Sequence, residues 1–253
     1  MLHKRIATIL ALMMGLTGWA VTADAREGFY LGAGFVGVQA THGGFDGQAS
    51  DVDTVGNKYL FSSIGSGSGI SLDIGYNFTN YFGLEYFSTS TRHTGTYAGQ
   101  PDSTTTIGLG LLGVRLIAPV AKSFELFLRL GESVSIVDMD QAGLVGGIKP
   151  TPVEYTGVGS GYGAGFEILG DHFGIGFGYT LHTLTFDKAK INGQPSFTLT
   201  KHVNENFAAT DVTFAYHFKH ALQIKMEFRQ QCFVLQSLVR GRNPKDGHRS
   251  SKH

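Results

Sequence analysis

Asp211-Val-Thr-Phe-Ala-Tyr-His-Phe218 is the stretch that decides the reading. In an extended segment side chains alternate between two faces. Val212, Phe214, Tyr216 and Phe218 then share one face, and Asp211, Thr213, Ala215 and His217 share the other. One face is apolar and increasingly aromatic, while the other is small or polar. Such a strand suits a wall between hydrocarbon and a polar interior, with aromatic rings at the water boundary. An ordinary half-buried strand of a soluble sandwich has the same pattern, so this segment decides the class only together with the rest of the chain.

Seven earlier stretches repeat the alternation. They are Phe29–Val38, Ser68–Phe78, Tyr81–Ser90, Thr104–Ile117, Phe124–Ile136, Tyr155–Leu169 and His172–Thr185. In the first, glycines interrupt Leu31, Phe35 and Val36, and the facing is ambiguous. In the fourth, Ile107, Leu109 and Leu111 oppose Gly108 and Gly110. Taking the apolar side as outward would turn Arg115 toward lipid, so a β-bulge is expected at Leu111-Leu112. The connections alternate in length. Asn77–Tyr81, Ala118–Ser123 and Leu169–His172 are short, whereas Gln39–Gly67, Thr91–Ser103, Val137–Glu154 and Phe186–Phe207 are long and polar. An even number of strands with short turns on one rim and long loops on the other predicts an all-β, eight-stranded antiparallel up-and-down transmembrane β-barrel.

Composition agrees. Charged residues make up 16% of the 253-residue chain, against about a quarter in an average soluble domain, while there are 36 glycines and 19 phenylalanines. The one cysteine, Cys232, excludes an internal disulfide and any multi-cysteine metal site. Lys4 and Arg5 precede an apolar run from Ile6 to Val21, and Ala23-Asp24-Ala25 offers a small-x-small cleavage site. Residues 1–25 therefore read as a secretory signal peptide cleaved after Ala25. No later stretch is long and apolar enough for a membrane-spanning helix, so membrane residence requires a barrel. Net charge zero hides a division. Residues 26–218 hold 10 basic and 17 acidic residues, and residues 219–253 hold 8 basic and 2 acidic ones. A domain boundary follows Phe218, separating a barrel at 26–218 from a basic periplasmic or disordered tail at 219–253.

The polar faces must look inward. On a soluble, lipocalin-like barrel they would meet water and should carry abundant charge. Here they are mostly Gly, Ser and Thr with isolated charges, which fits the lining of a narrow interior. The inward glycines also predict some residual lumenal space.

With its signal peptide, eight amphipathic strands, loop asymmetry and Phe-terminated last strand, the chain resembles the small bacterial outer-membrane barrels of the OmpA, OmpX and opacity-protein type. The resemblance covers residues 26–218 and is one of architecture. It implies residence in the bacterial outer membrane, contact with outer-membrane lipid and lipopolysaccharide, and delivery by the barrel-assembly machinery. Phe214, Tyr216 and Phe218 would carry the assembly signal, although the chain departs from the family by continuing for 35 residues beyond them. It further implies a structural or adhesive surface role, with four long loops meeting a host or surface ligand. Nucleic acid is not an expected partner.

The inward charges form the most informative constellation. Asp73, Glu85, Glu125, Glu167 and Asp211 are expected to share the lumen with Arg115 and Arg129, and with His182 and His217. Isolated charge in a narrow interior is costly, so these groups should pair or hold water. A paired network either fills the lumen structurally or gates a narrow solute or ion channel. Residue patterns for catalysis are weak. Gly108-Leu-Gly110-Leu-Leu-Gly113 fits a dinucleotide fingerprint, but its surroundings alternate with period two where a helix is needed. Asp51-Val-Asp53-Thr-Val-Gly56 lacks the acid that closes a calcium loop. A lipid-modifying enzyme would need a nucleophile near His182, and no such spacing stands out. Neither cofactor nor metal is expected, and His42, His93, His172 and His202 form no metal spacing.

Overall fold

The computed structural model describes residues 27–45, 50–52, 58–60, 63–97, 100–142, 151–191 and 195–218. The expected signal peptide and basic tail lie outside the described residues, as does Asp53. The strands are β1 (Gly28–His42), β2 (Ser50–Val52), β3 (Lys58–Leu60), β4 (Gly67–Thr79), β5 (Phe82–Tyr97), β6 (Gln100–Ala121), β7 (Phe124–Ala142), β8 (Thr151–Leu169), β9 (Phe173–Ile191) and β10 (Phe197–His217). All but β2 and β3 close into one antiparallel barrel in the order β1-β10-β9-β8-β7-β6-β5-β4. The short β2–β3 hairpin belongs to the connection after β1.

Closure requires stagger. A line of paired residues leaves β1 at Tyr30, passes through Gly75, Glu85, Gly113, Gly131, Gly161, His182 and Phe207, and meets β1 again at Ala40, ten residues further on. Eight strands with this stagger incline at roughly 40–45° and leave an interior just wide enough for side chains. Short turns seal one rim, where Ile117 N–H donates to Tyr81 O, Leu169 N–H to Ser123 O, His217 N–H to His172 O and Phe218 N–H to Phe29 O.

The connections at the other end differ from expectation. Thr91–Ser103, Val137–Glu154 and Phe186–Phe207 are mostly strand, because β5 runs to Tyr97, β7 to Ala142, β9 to Ile191, and β10 begins at Phe197. The last strand is thus 21 residues long, not the eight of the quoted stretch. Polar residues suggested loops there, yet backbone pairing continues through them. Strands of 19–22 residues rise roughly 45 Å along a tilted barrel, against an apolar band of about 25 Å in a membrane-spanning one. The barrel therefore projects well beyond such a band.

Polarity accordingly reverses along the long strands β6 to β10. Near the short turns the outward residues are apolar, as in Leu112, Val114 and Leu116 of β6, or Leu126, Leu128 and Leu130 of β7. Toward the loops they become Thr104 and Thr106, Asp138 and Asp140, Thr183 and Thr185, and Asn204 and Asn206. Inward residues change in the opposite sense. Arg115, Arg129 and Asp211 give way to a buried apolar cluster that includes Ile107, Leu109, Val137, Met139, Leu184, Phe186 and Phe207. Hydrocarbon outside favours polar groups inside, and water outside favours an apolar core.

This reversal corrects the reading of β6. Its pairing with β7 is continuous from Thr105 to Pro119, and the one register shift falls between Pro119 and Ala121. No bulge exists at Leu111-Leu112. Ile107, Leu109 and Leu111 point inward with Arg115, and Gly108 and Gly110 point outward. The apolar side changes face because the surroundings change, not because the strand slips. In β1, Phe29, Leu31 and Phe35 point outward, and Tyr30, Val36 and Val38 inward. The inward glycines leave little space, since large side chains lie over them. A Cβ on Gly75 would meet the Tyr30 ring, and one on Gly157 would meet the Phe186 ring.

Urea unfolding from phospholipid vesicles separates the two environments. Leu112→Arg, on the apolar outer band, should cost about 2–4 kcal/mol, whereas Thr106→Arg on the same face should change stability by no more than about 0.5 kcal/mol. Equal losses would contradict the reversal.

Candidate functional site

The five carboxylates and two arginines of the expected charge network lie inside the lower barrel, and all seven are at least 94% buried. Arg115 Nη1 is 3.3 Å from Glu85 Oε2, and its Nη2 is 3.1 Å from Glu125 Oε1 and 2.7 Å from Glu167 Oε2. Arg129 Nε stands 3.0 Å from the other oxygen of Glu85, at an angle too bent for a hydrogen bond. Its Nη2 and Nη1 lie 3.9 Å and 3.8 Å from Asp73 Oδ2 and Asp211 Oδ1. Glu85 thus bridges the two guanidiniums and also accepts the Tyr30 hydroxyl proton at 2.8 Å. His217 Nε2 meets Glu167 Oε1 at 2.8 Å, and Thr213 donates to Asp211 at 3.0 Å.

Aromatic rings complete the layer. The Arg115 guanidinium carbon lies 4.4 Å from the Phe127 ring centre, and that of Arg129 lies 4.9 Å from the same ring. One phenyl ring therefore contacts two like charges and attracts both through its quadrupole. Arg129 also covers Phe87 at 4.4 Å, and Arg115 covers Tyr30 at 5.1 Å. Tyr30, Phe87 and Phe127 are absent from the network inferred from sequence. Phe127 carried a signal, since it stands alone as an aromatic among the polar inward positions Glu125 and Arg129 of β7. A cavity of about 10 Å³ remains beside Asp73, Arg129 and Asp211, about enough for one small guest.

His182 is fully buried above this layer, with Nδ1 2.8 Å from Ser133 Oγ. Thr180 also points inward, whereas Thr183 points outward. The Ser133–His182 pair is enclosed by the wall. Among the described residues no carboxylate is hydrogen-bonded to His182, and His182 Nε2 has no partner. Phe214, Tyr216 and Phe218 are exposed on the outer face of the last strand and its end. Tyr216 and Phe218 pack edge to face at 4.7 Å.

A second constellation governs the connection between β1 and β4. Glu205, buried in β10, accepts the amides of Gly44 at 2.8 Å and Phe45 at 3.1 Å. Gly44 passes so close to β10 that a Cβ would collide with Val203 and the Asn204 carbonyl. Phe45 is thereby turned into the apolar cluster, 5.1 Å from the Phe186 ring and 5.4 Å from that of Tyr155. At the far end, His93 Nδ1 lies 2.8 Å from the Gly65 carbonyl and Nε2 lies 2.8 Å from Thr91 Oγ1. The carbonyl requires the proton on Nδ1, which leaves Nε2 of neutral His93 as an acceptor facing the Thr91 hydroxyl, a group that also reaches the Ile107 carbonyl at 3.3 Å. Burial holds His93 below the ordinary imidazole range, and the Gly65 carbonyl opposes that shift only in part. His93 belongs to the projecting half of the barrel, where the outward neighbour is Arg92.

Two measurements address these contacts. Arg129→Met should destabilise the folded barrel by about 3–5 kcal/mol in urea, because Glu85 loses a buried counter-charge; adding Glu85→Gln should recover part of that loss. For His93, a depressed folded pKa means stability is fully present above the unfolded value of 6.5 and declines as pH falls below it. The protection factor of the Gly65 amide, bonded to Thr94 O, should therefore fall below about pH 6.5, and His93→Gln should flatten that dependence.

Residues 8–218 match the family described as outer membrane protein beta-barrel domain. Similar solved structures include the outer membrane protein OprG from Pseudomonas aeruginosa, 16% identical, with 79% of this chain and 100% of that chain covered and a TM-score of 0.52. The outer membrane protein AlkL is 14% identical, with 80% and 95% covered and a TM-score of 0.50. At these identities the likeness is one of fold. No curated protein matches the chain. The sequence match spans most of the chain, and the protein belongs to the outer membrane protein β-barrel domain family, whose place is the bacterial outer membrane.

Proposed function

We propose that this protein is a non-enzymatic, non-conducting surface barrel with a structural and adhesive role, displaying residues 43–66 and three shorter strand tips outside the cell. The observation that carries the reading is the filled lumen. Paired guanidiniums, carboxylates and rings occupy the lower half, and apolar side chains occupy the upper half. A residual cavity of about 10 Å³ within the lower half has no room for a hydrated ion in transit. Eight-stranded barrels are generally filled by their own side chains.

Display is supported by the projecting strands and by the clips at Glu205 and His93. A connection fixed at both bases presents its tip with less conformational freedom to lose on contact. The polar outward face just beyond the apolar band, including Thr183, Thr185, Asn204 and Asn206, sits where lipopolysaccharide headgroups would surround it. Phe214, Tyr216 and Phe218 form an aromatic outer edge suited to recognition by the barrel-assembly machinery.

Planar-bilayer recording should give no discrete conductance steps; regular steps would instead favour a narrow pore. Cells displaying the chain should adhere to an epithelial monolayer better than cells displaying a variant with residues 46–62 replaced by a Gly-Ser linker. Undiminished adhesion by that variant would remove the loop from the role. Lipid hydrolysis above background that is lost in His182→Ala would restore the enzymatic alternative.

A further inference from the structure

We propose that two copies of this chain associate side by side in the membrane through the outer face of β7 and β8, each Glu132 hydrogen-bonded to the partner's Ser160. One side chain in an unexpected place motivates it. The outward residues Leu126, Leu128, Leu130, Val134 and Ile136 of β7 are apolar, yet Glu132 stands exposed among them. Val134 and Ile136 separate it from Asp138, the next outward polar residue of that strand. Six residues of tilted strand rise roughly 15 Å, farther than a glutamate side chain extends. Hydrocarbon offers a carboxyl neither water nor a hydrogen-bond donor, and ionisable groups at membrane depth are rare for that reason.

The chain itself gives Glu132 little. Its cross-strand neighbours on the outer face are Leu112 of β6 and Ser160 of β8. Among the described residues no hydrogen bond or ion pair reaches its carboxyl. Ser160 is exposed beside it, and a hydroxyl both donates and accepts.

Symmetry supplies the partner. A two-fold interface applies one patch to itself, so that residue i meets j and j meets i. An axis along the membrane normal keeps every residue at its own depth while exchanging left and right. Placed between β7 and β8, it sets β7 of one copy against β8 of the other. Each Glu132 then faces the partner's Ser160, displaced by only about 3 Å in depth because neighbouring strands are inclined. An axis between β6 and β7 would set Glu132 against Leu112, which has no donor. Ser160 and Ala164 are small outward residues of β8, and small residues let two walls approach closely in a membrane.

Apolar packing alone would not select this face, since lipid tails are as apolar as leucine. The hydrogen bonds therefore decide whether two copies meet. A different membrane protein would have to bring its own donor to this depth, whereas a second copy brings Ser160 there by symmetry.

The test uses the full mature chain folded into phosphatidylcholine vesicles and labelled with donor or acceptor dye at Cys232, its single cysteine. Energy transfer is followed as the chain is diluted with lipid. Wild type should show transfer linear in acceptor fraction, as a dimer does. Glu132→Leu and Ser160→Ala should each need a protein-to-lipid ratio roughly tenfold higher for the same transfer. Glu132→Gln, which keeps a hydrogen-bonding group, should stay close to wild type, as should Phe35→Leu on the opposite wall. Wild-type transfer no greater than random proximity at every ratio overturns the proposal and leaves Glu132 to lipid or to another protein. Equal transfer in wild type and Glu132→Leu also overturns it, placing the contact elsewhere on the wall. If Glu132→Gln dissociates like Glu132→Leu, the carboxyl–hydroxyl pairing is refuted.

Discussion

One phenyl ring shared by two guanidiniums sets the interior of the lower barrel. Arg115 and Arg129 are paired directly across β6 and β7, Phe127 attracts both, and Glu85 ties the same two groups together. Neither arrangement suffices alone. Without the ring, two like charges would lose a common attractive partner in a space from which water is largely excluded. Without Glu85, each guanidinium would lack its shared counter-charge. Tyr30 adds a hydroxyl to Glu85 and a face to Arg115, so β1, β5, β6 and β7 are fastened to one cluster. Replacing the whole set by apolar residues would not obviously weaken the fold. Partial removal would, and that makes the cluster a cooperative unit.

The cluster sits where it does because the solvent outside the wall changes partway along each strand. A wall residue has only two faces available, and hydrocarbon outside leaves the inner face for polar groups. Once the strands leave the bilayer, the preference reverses, and the inner face carries Ile107, Leu109, Val137, Met139 and Phe186. The upper barrel is thus organised like a small soluble domain continuous with a membrane-spanning one. Pairing that runs without interruption from Thr105 to Pro119 between β6 and β7, and from Phe124 to Met139 between β7 and β8, joins the two halves and holds the projecting part where short loops would fray.

Much of the lower half was legible from sequence because its alternation is strong and its few charges are conspicuous. Arg115 and Arg129 had to point inward, since an arginine on the lipid face is costly, and their carboxylate partners followed. The upper half misled because the same alternation was read with one polarity throughout. Ile107, Leu109 and Leu111 are apolar and alternate, so a single rule turns them outward and then demands a bulge to rescue Arg115. Likewise, Arg92–Thr94 and Asn204–Asn206 read as loop because polar residues mark loops and water-facing strands alike. Tyr30 was hidden by glycines on both faces of β1. The clips at Glu205 and His93 join residues 161 and 28 positions apart, and no local pattern announces such a contact.

Those clips bring the two halves into one argument. Phe45 is held in the apolar cluster by Glu205 through backbone amides, a contact that depends on the position of the chain more than on which side chains follow it. The charge layer below is built from wall residues, and the apolar layer above from wall residues together with Phe45. Change at Gly44, Phe45, Gly65 or His93 is therefore costly for the fold, because each of them ties the connection to the wall through backbone or buried contacts.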